Sequence, residues 1–267
     1  MCEVVGMSRQ NYYKKHNIRI RRTIEEGCIS ELVRQQRSLQ PCLGGRKLLY
    51  LLRGELTAAG ITIGRDRFFR FLGGRGLLIE RSARRPRTTD SRHGFEVYGN
   101  LLKDVVLSGP NEALVSDITY IRTREGFVYL CLVMDAYSRA VVGYDCSDSL
   151  ESRGALRALS MALKQLPASR EVVHHSDRGC QYCSGDYVER LKSRGMRISM
   201  TEENHCYENG KAERLNGILK QEYGLGGSFL SKSAAYRSVR EAIVLYNCRR
   251  PHQSLGYRCP MEVHLAA

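Results

Sequence analysis

The chain has 267 residues, 42% of them hydrophobic, and a formal net charge of +14. This length is enough for one sizeable buried core with a smaller appended domain, so the fold needs neither disulfides nor a structural metal. No apolar run approaches the roughly 18 residues that span a bilayer. Residues 1–16 also lack the apolar core and cleavage site of a secretion signal. We therefore expect a cytoplasmic protein without a membrane partner.

The positive charge is concentrated in the N-terminal part of the chain. Residues 1–100 hold 20 Lys and Arg against 9 Asp and Glu, a balance of +11, whereas residues 101–267 hold 22 against 19. A basic segment attracts polyanions because binding releases their counterions. The charge favours a nucleic acid or an anionic lipid surface as partner, and a solvated basic surface is the simpler alternative.

Three helical segments are predicted from about Thr23 to Leu72, separated by the breakers in PCLGG and AAGI. In the last segment, TIGRDRFFRFL, one face is apolar and the opposite face is basic. The apolar face carries Phe68, Phe69 and Leu72, and the basic face carries Arg67 and Arg70. Short helices that end in a basic one indicate a helix-turn-helix-like domain whose final helix meets DNA. Many three-helix bundles with exposed arginines give the same pattern.

A basic linker follows the helical segments. RSARRPRTTDSRHG, residues 81–94, contains five arginines, one proline and almost nothing apolar. Its charge could track a phosphate backbone or simply keep the segment solvated. The candidate DNA contacts are Arg84, Arg85 and Arg87. We expect a basic helical region at residues 1–80 and a linker at residues 81–106.

The periodicity changes from Leu114 onward. LVSDITYI, FVYLCLVMD and RAVVGYDCS are β-rich runs bounded by turn residues, and they predict three consecutive strands in a meander. A helix, the strand EVVHHSD, another helix, the strand RISM and two further helices follow. Three strands followed by alternating helices and strands predict a mixed α/β sheet.

Two aspartates lie on the predicted strands. Asp117 is in the first strand amid core residues, where a charge is costly unless it is paired or bound to a metal. Asp177 ends the fourth strand, at the carboxyl edge where open α/β sheets place ligands. If the first and fourth strands are neighbours, both aspartates reach one crevice. Asp135, at the end of the second strand, is expected to be structural.

A third carboxylate lies on the helix that contains ENGKAERLNGILKQE. At 100° per residue, Leu215, Ile218 and Leu219 share one face of this helix. The opposite face carries Asn209, Glu213, Asn216 and Lys220. Ordinary solvent exposure would also explain such a face. Carboxylates that converge from two strands and a helix suit Mg²⁺ or Mn²⁺, and two such ions about 4 Å apart can promote phosphodiester chemistry.

The carboxylates carry a resemblance to a known family. Asp117, Asp177 and Glu213, with 35 residues between the last two, match the D, D(35)E pattern of retroviral integrases and related transposases. PNEALVSDITYI, YLCLVMDAYSRAVVGY, HHSDRGCQY and YNCRRPHQSLGYRCP closely resemble segments of the OrfB-type transposases of bacterial insertion sequences. VVGMSRQNYYK and GGRKLLYLL extend the likeness over nearly the whole chain.

The resemblance implies a ribonuclease-H-like catalytic core at residues 107–225, completed by a C-terminal helix and tail at residues 226–267. It implies a Mg²⁺-dependent DDE transposase that cleaves element ends and joins a 3′-hydroxyl to target DNA. Asp117, Asp177 and Glu213 match the metal-binding acids, and Lys220 matches a DNA-contacting residue. We add Asn209 and Asn216 from the same polar face as DNA contacts.

The resemblance also implies partners. We expect a homo-multimer on DNA, associated with the bacterial nucleoid. Such transposases usually work as a fusion with a preceding reading frame, which supplies a helix-turn-helix and a leucine zipper. This chain has no sustained heptad run, so we expect an OrfA-type partner or fusion.

Two other interpretations stay open at this point. A catalytically silent DNA-binding regulator of the same element would keep the same fold. A zinc-stabilised interaction protein belongs to a different class, and its candidate ligands are His174, His175, Cys180, Cys183, His205 and Cys206. The Cys-x-x-Cys pair lacks the second regular pair of a zinc ribbon or knuckle, so we expect magnesium and no zinc.

Overall fold

A computed structural model describes residues 6–79, 94–166, 171–202 and 209–266. The chain forms two units, Met1–Arg81 and Ser82–Ala267. Helices alone build the described part of the first unit, whereas the second is built on a β-sheet. No helix in these described ranges is long and apolar enough to cross a membrane.

The first unit packs three helices around one apolar core. They are α1 (Arg9–Leu39), α2 (Gly45–Ala58) and α3 (Arg65–Gly74). The largest fully buried side chains of this core are Ile29, Leu43, Leu48, Leu52, Phe68 and Leu72. The helical N-terminal region predicted from the sequence is therefore confirmed.

Helix α1 begins much earlier than the predicted start near Thr23. Its first turn is capped by Ser8, whose Oγ accepts from the backbone N–H of Asn11 at 3.2 Å. The residues that α1 buries all lie between Ile29 and Val33. Hydrophobic periodicity reports only a face that packs. The first half of α1, which buries no face, therefore gave no periodic signal.

The second unit contains a six-stranded sheet in which β1 is central. Its strands are β1 (Ala113–Thr123), β2 (Gly126–Asp135), β3 (Val141–Ser147), β4 (Val173–Ser176), β5 (Arg197–Met200) and β6 (Ser228–Phe229). The order is β3-β2-β1-β4-β5, with β6 also paired to β1. The first three strands form an antiparallel meander, and β4 and β5 continue the sheet in parallel. The predicted mixed α/β sheet is confirmed, and β6 is an addition.

Helices cover both faces of this sheet. They are α4 (Ser152–Leu163), α5 (Cys180–Cys183), α6 (Gly185–Lys192), α7 (Gly210–Glu222), α8 (Lys232–Arg249) and α9 (Pro260–Leu265). Helices α4, α5 and α6 share an apolar core with one face of the sheet. Helices α7 and α8 share another core with the opposite face. The alternation of side chains along β1 therefore decides which helix layer each residue meets.

The edge of β1 opposite β2 is covered by two short strands with a gap between them. Strand β4 pairs with Ala113–Val115, and β6 pairs with Arg122 and Thr123. Within the described ranges, no strand pairs with residues 116–121 on this edge. The side chain of Asn209 fills part of the gap, because its Nδ2 donates to the backbone oxygen of Ser116 at 3.1 Å.

A glycine allows one helix to lie directly on the sheet. A Cβ added to Gly143 on β3 would lie 2.2 Å from the backbone oxygen of Ala158 on α4 and 2.9 Å from the nitrogen of Ala162. These are rigid backbone atoms of a packed helix, which cannot move aside cheaply. Gly143 therefore sets the close spacing between α4 and the sheet.

The turn between β2 and β3 is organised by Asp135. This carboxylate is fully buried, and it accepts from the backbone N–H of Ser138 at 2.6 Å and of Asn111 at 2.7 Å. Burial alone would raise the pKa of Asp135, but hydrogen bonds from His264, Ser138 and Asn111 hold it below its ordinary value. These bonds agree with the structural role expected for Asp135.

Candidate active site

Asp117 lies in the middle of β1, at the start of the gap in its edge. Its side chain is half-buried. Oδ2 accepts from Nδ2 of Asn216 on α7 at 2.7 Å, and Oδ1 accepts from the backbone N–H of Ile118 at 3.0 Å. The strand fixes the backbone of Asp117 and the helix fixes one of its oxygens.

Asp177 follows the last residue of β4 and is also half-buried. The parallel register places Val115 opposite His175. Asp117 and Asp177 each come two residues after this pair, so the register brings them to the same level of the sheet. Gly179 donates its N–H to Oδ1 of Asp177 at 3.0 Å, and this bond turns the chain into α5. The neighbouring strands required for a shared crevice are thus present.

Glu213 lies in the first turn of α7 and is exposed. The same helix carries Asn216, which bonds to Asp117. Glu213 is therefore held on the element that packs against β1. Its charge acts on Asp117, since it is one of the groups that raise the pKa of Asp117.

The electrostatics of Asp117 reflect this crowding of acids. Burial and the nearby charge of Asp177 raise its pKa to about 7, Glu213 adds to the rise, and hydrogen bonds from Asn216 and Ile118 oppose it. A carboxyl group in such surroundings holds its negative charge only at a cost. A cation placed among the carboxylates would remove that cost.

The carboxylate oxygens of the candidate site are of the kind that binds hard divalent cations. The described structure does not bring three of these side chains together around one point. Among the described residues, no three His, Cys, Asp or Glu side chains lie close enough together to hold a metal ion. Asp117 and Asp177 nevertheless offer carboxylate oxygens, the ligands that Mg²⁺ prefers. Glu213 supplies a third carboxylate on an exposed side chain.

The two asparagines predicted on a DNA-facing surface lie inside the protein instead. Asn209 and Asn216 are buried, with exposures of 3% and 7%. Asn209 bonds to the backbone of Ser116, and Asn216 bonds to Asp117. Helix α7 packs close enough to β1 to enclose both amides, which helical periodicity alone could not foresee. Through these contacts both side-chain amides hold the start of α7 to β1.

The predicted basic contacts lie on several elements. Lys220 is half-buried in the last turn of α7. In the first unit Arg70 is exposed, whereas Arg67 donates from Nη2 to Oε2 of Glu25 on α1 at 2.9 Å. Arg67 is thus partly engaged within its own unit, so Arg70 is the better candidate for contact with DNA. Arg84, Arg85 and Arg87 lie outside the described residues.

His174 and His175, which precede Asp177, form hydrogen bonds with buried side chains. His174 contacts Ser116 Oγ at 2.8 Å and Tyr187 Oη at 2.9 Å through Nε2, and burial lowers its pKa to about 3. His175 contacts Ser199 Oγ at 2.8 Å through Nδ1. Both are 1% exposed, so both side chains lie inside the protein. His205 and Cys206 lie outside the described residues.

The sheet order, the helices on its two faces and the carboxylates at its centre define an integrase-type core of the ribonuclease-H-like class. The integrase core domain family matches residues 108–206, and a second integrase core domain model matches residues 194–260. A chain in the structure of the simian T-cell lymphotropic virus intasome, solved in complex with PP2A regulatory subunit B56 gamma, has the same fold, with a TM-score of 0.50 and 18% identity over 87% of this chain and 74% of that one. The magnesium-bound catalytic core of HTLV-2 integrase is also similar, with a TM-score of 0.47 and 20% identity over 59% of this chain and 98% of that one.

Curated relatives match almost from end to end. The 31 kDa protein of insertion element IS600 from Shigella sonnei is 33% identical over 97% of this chain and 96% of its own length. The transposase InsF of insertion sequence IS3A from Escherichia coli is 34% identical over 98% of this chain and 92% of its own length. The chain therefore belongs to the OrfB-type transposases of IS3-like insertion sequences, as its sequence motifs indicated.

Proposed function

We propose that this chain is a DDE-type DNA transposase that cleaves the ends of its element and joins a 3′-hydroxyl to target DNA by two-metal-ion transesterification. The observation that carries the proposal is the parallel pairing of β1 with β4, which sets Asp117 and Asp177 at one level of the sheet. Helix α7, which carries Glu213 in its first turn, is bonded to the same strand through Asn216. The transposase name of the IS3A relative supports this assignment.

Each side chain has a separate role in this proposal. Asp117, Asp177 and Glu213 hold Mg²⁺, or Mn²⁺ in its place. When bound, the ions would activate a hydroxyl nucleophile and stabilise the leaving oxygen of a phosphodiester. Asn216 keeps one oxygen of Asp117 in a fixed direction. Because the pKa of Asp117 is raised to about 7, its carboxyl must lose any proton before it can serve as a ligand.

The remaining parts of the chain would deliver DNA to this site. We assign residues 1–80 to DNA binding through a helix-turn-helix-like domain, 81–106 to a basic linker, 107–225 to the catalytic core and 226–267 to its completion. The basic balance of residues 1–100 supports this division. Lys220 and Arg70 are the proposed DNA contacts on described elements. A homo-multimer and an OrfA-type partner complete the proposal.

Strand nicking by the purified full-length chain tests the function. The substrate is end-labelled DNA that carries the two ends of the element, with Mg²⁺ or without metal. We expect nicking only with Mg²⁺, and we expect Asp117→Asn and Glu213→Gln to abolish it while DNA binding persists. Glu241→Gln is the matched control, because Glu241 is an exposed carboxylate on α8.

The main alternative is a catalytically silent DNA-binding regulator of the same element. It predicts DNA binding by the wild type with no nicking under any metal condition, even after an upstream frame is fused to the chain. Nicking that survives in Asp117→Asn would reject the proposed site as well.

A further inference from the structure

Three aromatic side chains lie together beside the turn that joins β1 to β2. Tyr120 is paired with Tyr129 across the two strands, and Phe127 is paired with Arg122. Side chains two residues apart on a strand point to the same face of the sheet. Tyr120, Arg122, Phe127 and Tyr129 therefore share one face, and we call these four residues the aromatic patch.

The aromatic patch continues the sheet face that α4, α5 and α6 cover. Ile118, two residues before Tyr120, and Cys131, two residues after Tyr129, belong to the apolar core on this face. The cover thins out beyond them, because Tyr120 and Tyr129 are half-buried and Phe127 is 45% exposed. The patch is thus a partly open aromatic surface at the end of the core.

The rings of the patch meet edge to face. The ring centroids of Tyr120 and Tyr129 are 5.2 Å apart with their planes at 72°, and those of Tyr120 and Phe127 are 6.2 Å apart at 87°. Such pairs are favourable in themselves. A perpendicular pair nevertheless covers at most one face of one of its rings, so ring faces remain for a further planar group.

Tyr120 brings the patch close to the proposed site. The pKa of Tyr120 is raised above its ordinary value by burial, and the nearby Tyr129, Cys180 and Asp177 add to the rise. Tyr120 also follows Asp117 on β1 by three residues, which corresponds to roughly 10 Å along the strand. The patch therefore begins near two of the proposed acids, on the side of the sheet that α5 covers.

The charge around the patch is positive. Arg122 and Arg124 are exposed. Glu125, the acidic residue of the turn, accepts from the backbone N–H of Lys232 at 2.9 Å, so its charge is partly engaged. Aromatic rings combined with arginine are the means by which many proteins hold single-stranded nucleic acid, since the rings stack on bases and the cations attract phosphates. This charge favours a flat, anionic partner over an apolar protein surface.

We propose that the aromatic patch binds unpaired bases of the DNA next to the reacting phosphodiester. The bases must be unpaired because those of a duplex are already stacked on one another, whereas an unpaired base exposes its flat face to an aromatic ring. The patch would then hold the strand end on the α5 side of Asp177. This inference rests on the proposed function, because the DNA it names is the substrate of that site.

DNA with and without unpaired bases tests the patch. Full-length wild type, Tyr120→Leu and Phe127→Leu are titrated without divalent metal against a short duplex with a blunt end. They are also titrated against the same duplex with a single-stranded end of about three nucleotides, enough for the few bases that such a patch could stack. One unpaired base is a fluorescent adenine analogue, whose emission falls when it stacks.

The wild type should prefer the single-stranded end and quench its fluorescence. Each leucine variant should bind that end roughly fivefold or more weakly and should lose the quenching. Affinity for the blunt duplex and the slope of log K against log salt should stay unchanged, because no charge is removed. Tyr120→Phe should keep both the preference and the quenching, since it retains the ring.

Tyr137→Leu is the matched control. Tyr137 is a half-buried aromatic residue between β2 and β3, at the opposite end of β2 from Phe127. Its replacement should leave the preference for unpaired bases intact. Melting temperatures show that each variant is folded, and Phe127→Leu changes so exposed a side chain that we expect it to melt with the wild type.

Three results would overturn the inference. They are equal wild-type affinity for the two DNA ends, an unchanged preference in folded Tyr120→Leu and Phe127→Leu, and an equal loss in Tyr137→Leu. An altered oligomeric state of Phe127→Leu in sedimentation, with its DNA preference intact, would assign the patch to a protein contact instead.

A parallel nicking assay with Mg²⁺ separates this inference from the proposed function. Nicking by a wild type that shows no preference for unpaired bases rejects the aromatic patch alone. A preference that the leucine variants lose, without any nicking by the wild type, rejects only the transposase chemistry.

Discussion

Nδ2 of Asn216 lies 2.7 Å from Oδ2 of Asp117, and this bond joins α7 to the central strand. It gives Asp117 a fixed donor, and it holds the helix that carries Glu213 against the sheet. The asparagine therefore links the strand that carries Asp117 to the helix that carries Glu213 without adding a charge.

Removing this donor should impair catalysis more than folding. In Asn216→Ala, one oxygen of Asp117 loses its fixed direction, and we expect nicking to fall roughly 10- to 100-fold, as for other residues that orient metal ligands. The Mg²⁺ concentration for half-maximal nicking should rise, and DNA binding should stay within about twofold. Titration of Mg²⁺ in the nicking assay measures both effects. A drop in rate with an unchanged Mg²⁺ dependence would contradict a positioning role.

The raised pKa of Asp117 predicts a stability effect that depends on pH. Its folded pKa of about 7 lies above the unfolded value of about 3.9. Its charge therefore destabilises the metal-free fold progressively from about pH 4 to pH 7, and fully above pH 7. We expect Asp117→Asn to raise the melting temperature by about 5 °C at pH 8 and to leave it unchanged near pH 4. Thermal melts in EDTA check this.

An equal rise in the melting temperature of Asp117→Asn at pH 4 and pH 8 would contradict the electrostatic cause. Glu241→Gln again serves as the control, since Glu241 is exposed on α8. Its melting temperature should follow that of the wild type at every pH.

Replacing either of two glycines in the second unit by alanine should change the free energy of unfolding, and the two changes should have opposite signs. Gly143→Ala forces a Cβ to within 2.2 Å of the backbone of α4, so we expect a loss of about 3 kcal/mol or more of unfolding free energy. Gly217→Ala on α7 meets nothing within 4 Å and should gain up to about 1 kcal/mol. Urea denaturation measures both. Similar values for the two variants would refute the close approach of α4 to β3.

A buried ion pair offers a further test of the second unit. Arg250 donates to both oxygens of Glu222 at 2.7 and 2.8 Å, and their side chains are only 4% and 14% exposed. Glu222→Gln leaves a buried guanidinium without its counter-charge, so we expect a loss of roughly 3 kcal/mol in unfolding free energy.

The matched control for that pair is exposed. Arg153 Nε lies 3.5 Å from Glu151 Oε2, and the two side chains are 81% and 63% exposed. Glu151→Gln should lower the free energy of unfolding by less than about 0.5 kcal/mol. Urea denaturation of the two variants side by side checks the difference. A loss of the same size in both would show that burial does not govern the strength of these pairs.

The sequence predicted most of the sheet because its strands are long apolar runs with clear turns. It also predicted that Asp117 and Asp177 would reach one crevice if β1 and β4 were neighbours, and the two strands are neighbours. The first half of α1 was not predicted because it buries no face and therefore shows no hydrophobic periodicity.

Other features depend on contacts between distant segments. The burial of Asn209 and Asn216 depends on how closely α7 approaches β1. The hydrophobic periodicity of a helix does not predict that spacing. Arg139 has a left-handed backbone, with a φ of 66°. Its N–H donates to the oxygen of Asp135 on β2 and its own oxygen accepts from Tyr246 Oη on α8, and no local sequence pattern predicts these contacts. Such long-range packing determines the fine geometry of the candidate site.

The separation of its parts along the chain gives the site a fixed order of assembly. Asp117 and its donor Asn216 are 99 residues apart, which corresponds to roughly 5–20 s of synthesis on a ribosome. Until α7 has emerged and docked, the nascent chain lacks both Glu213 and the donor to Asp117. Under the proposed function, a chain that ends before α7 would not cut the DNA around it, because it lacks Glu213 and the donor to Asp117.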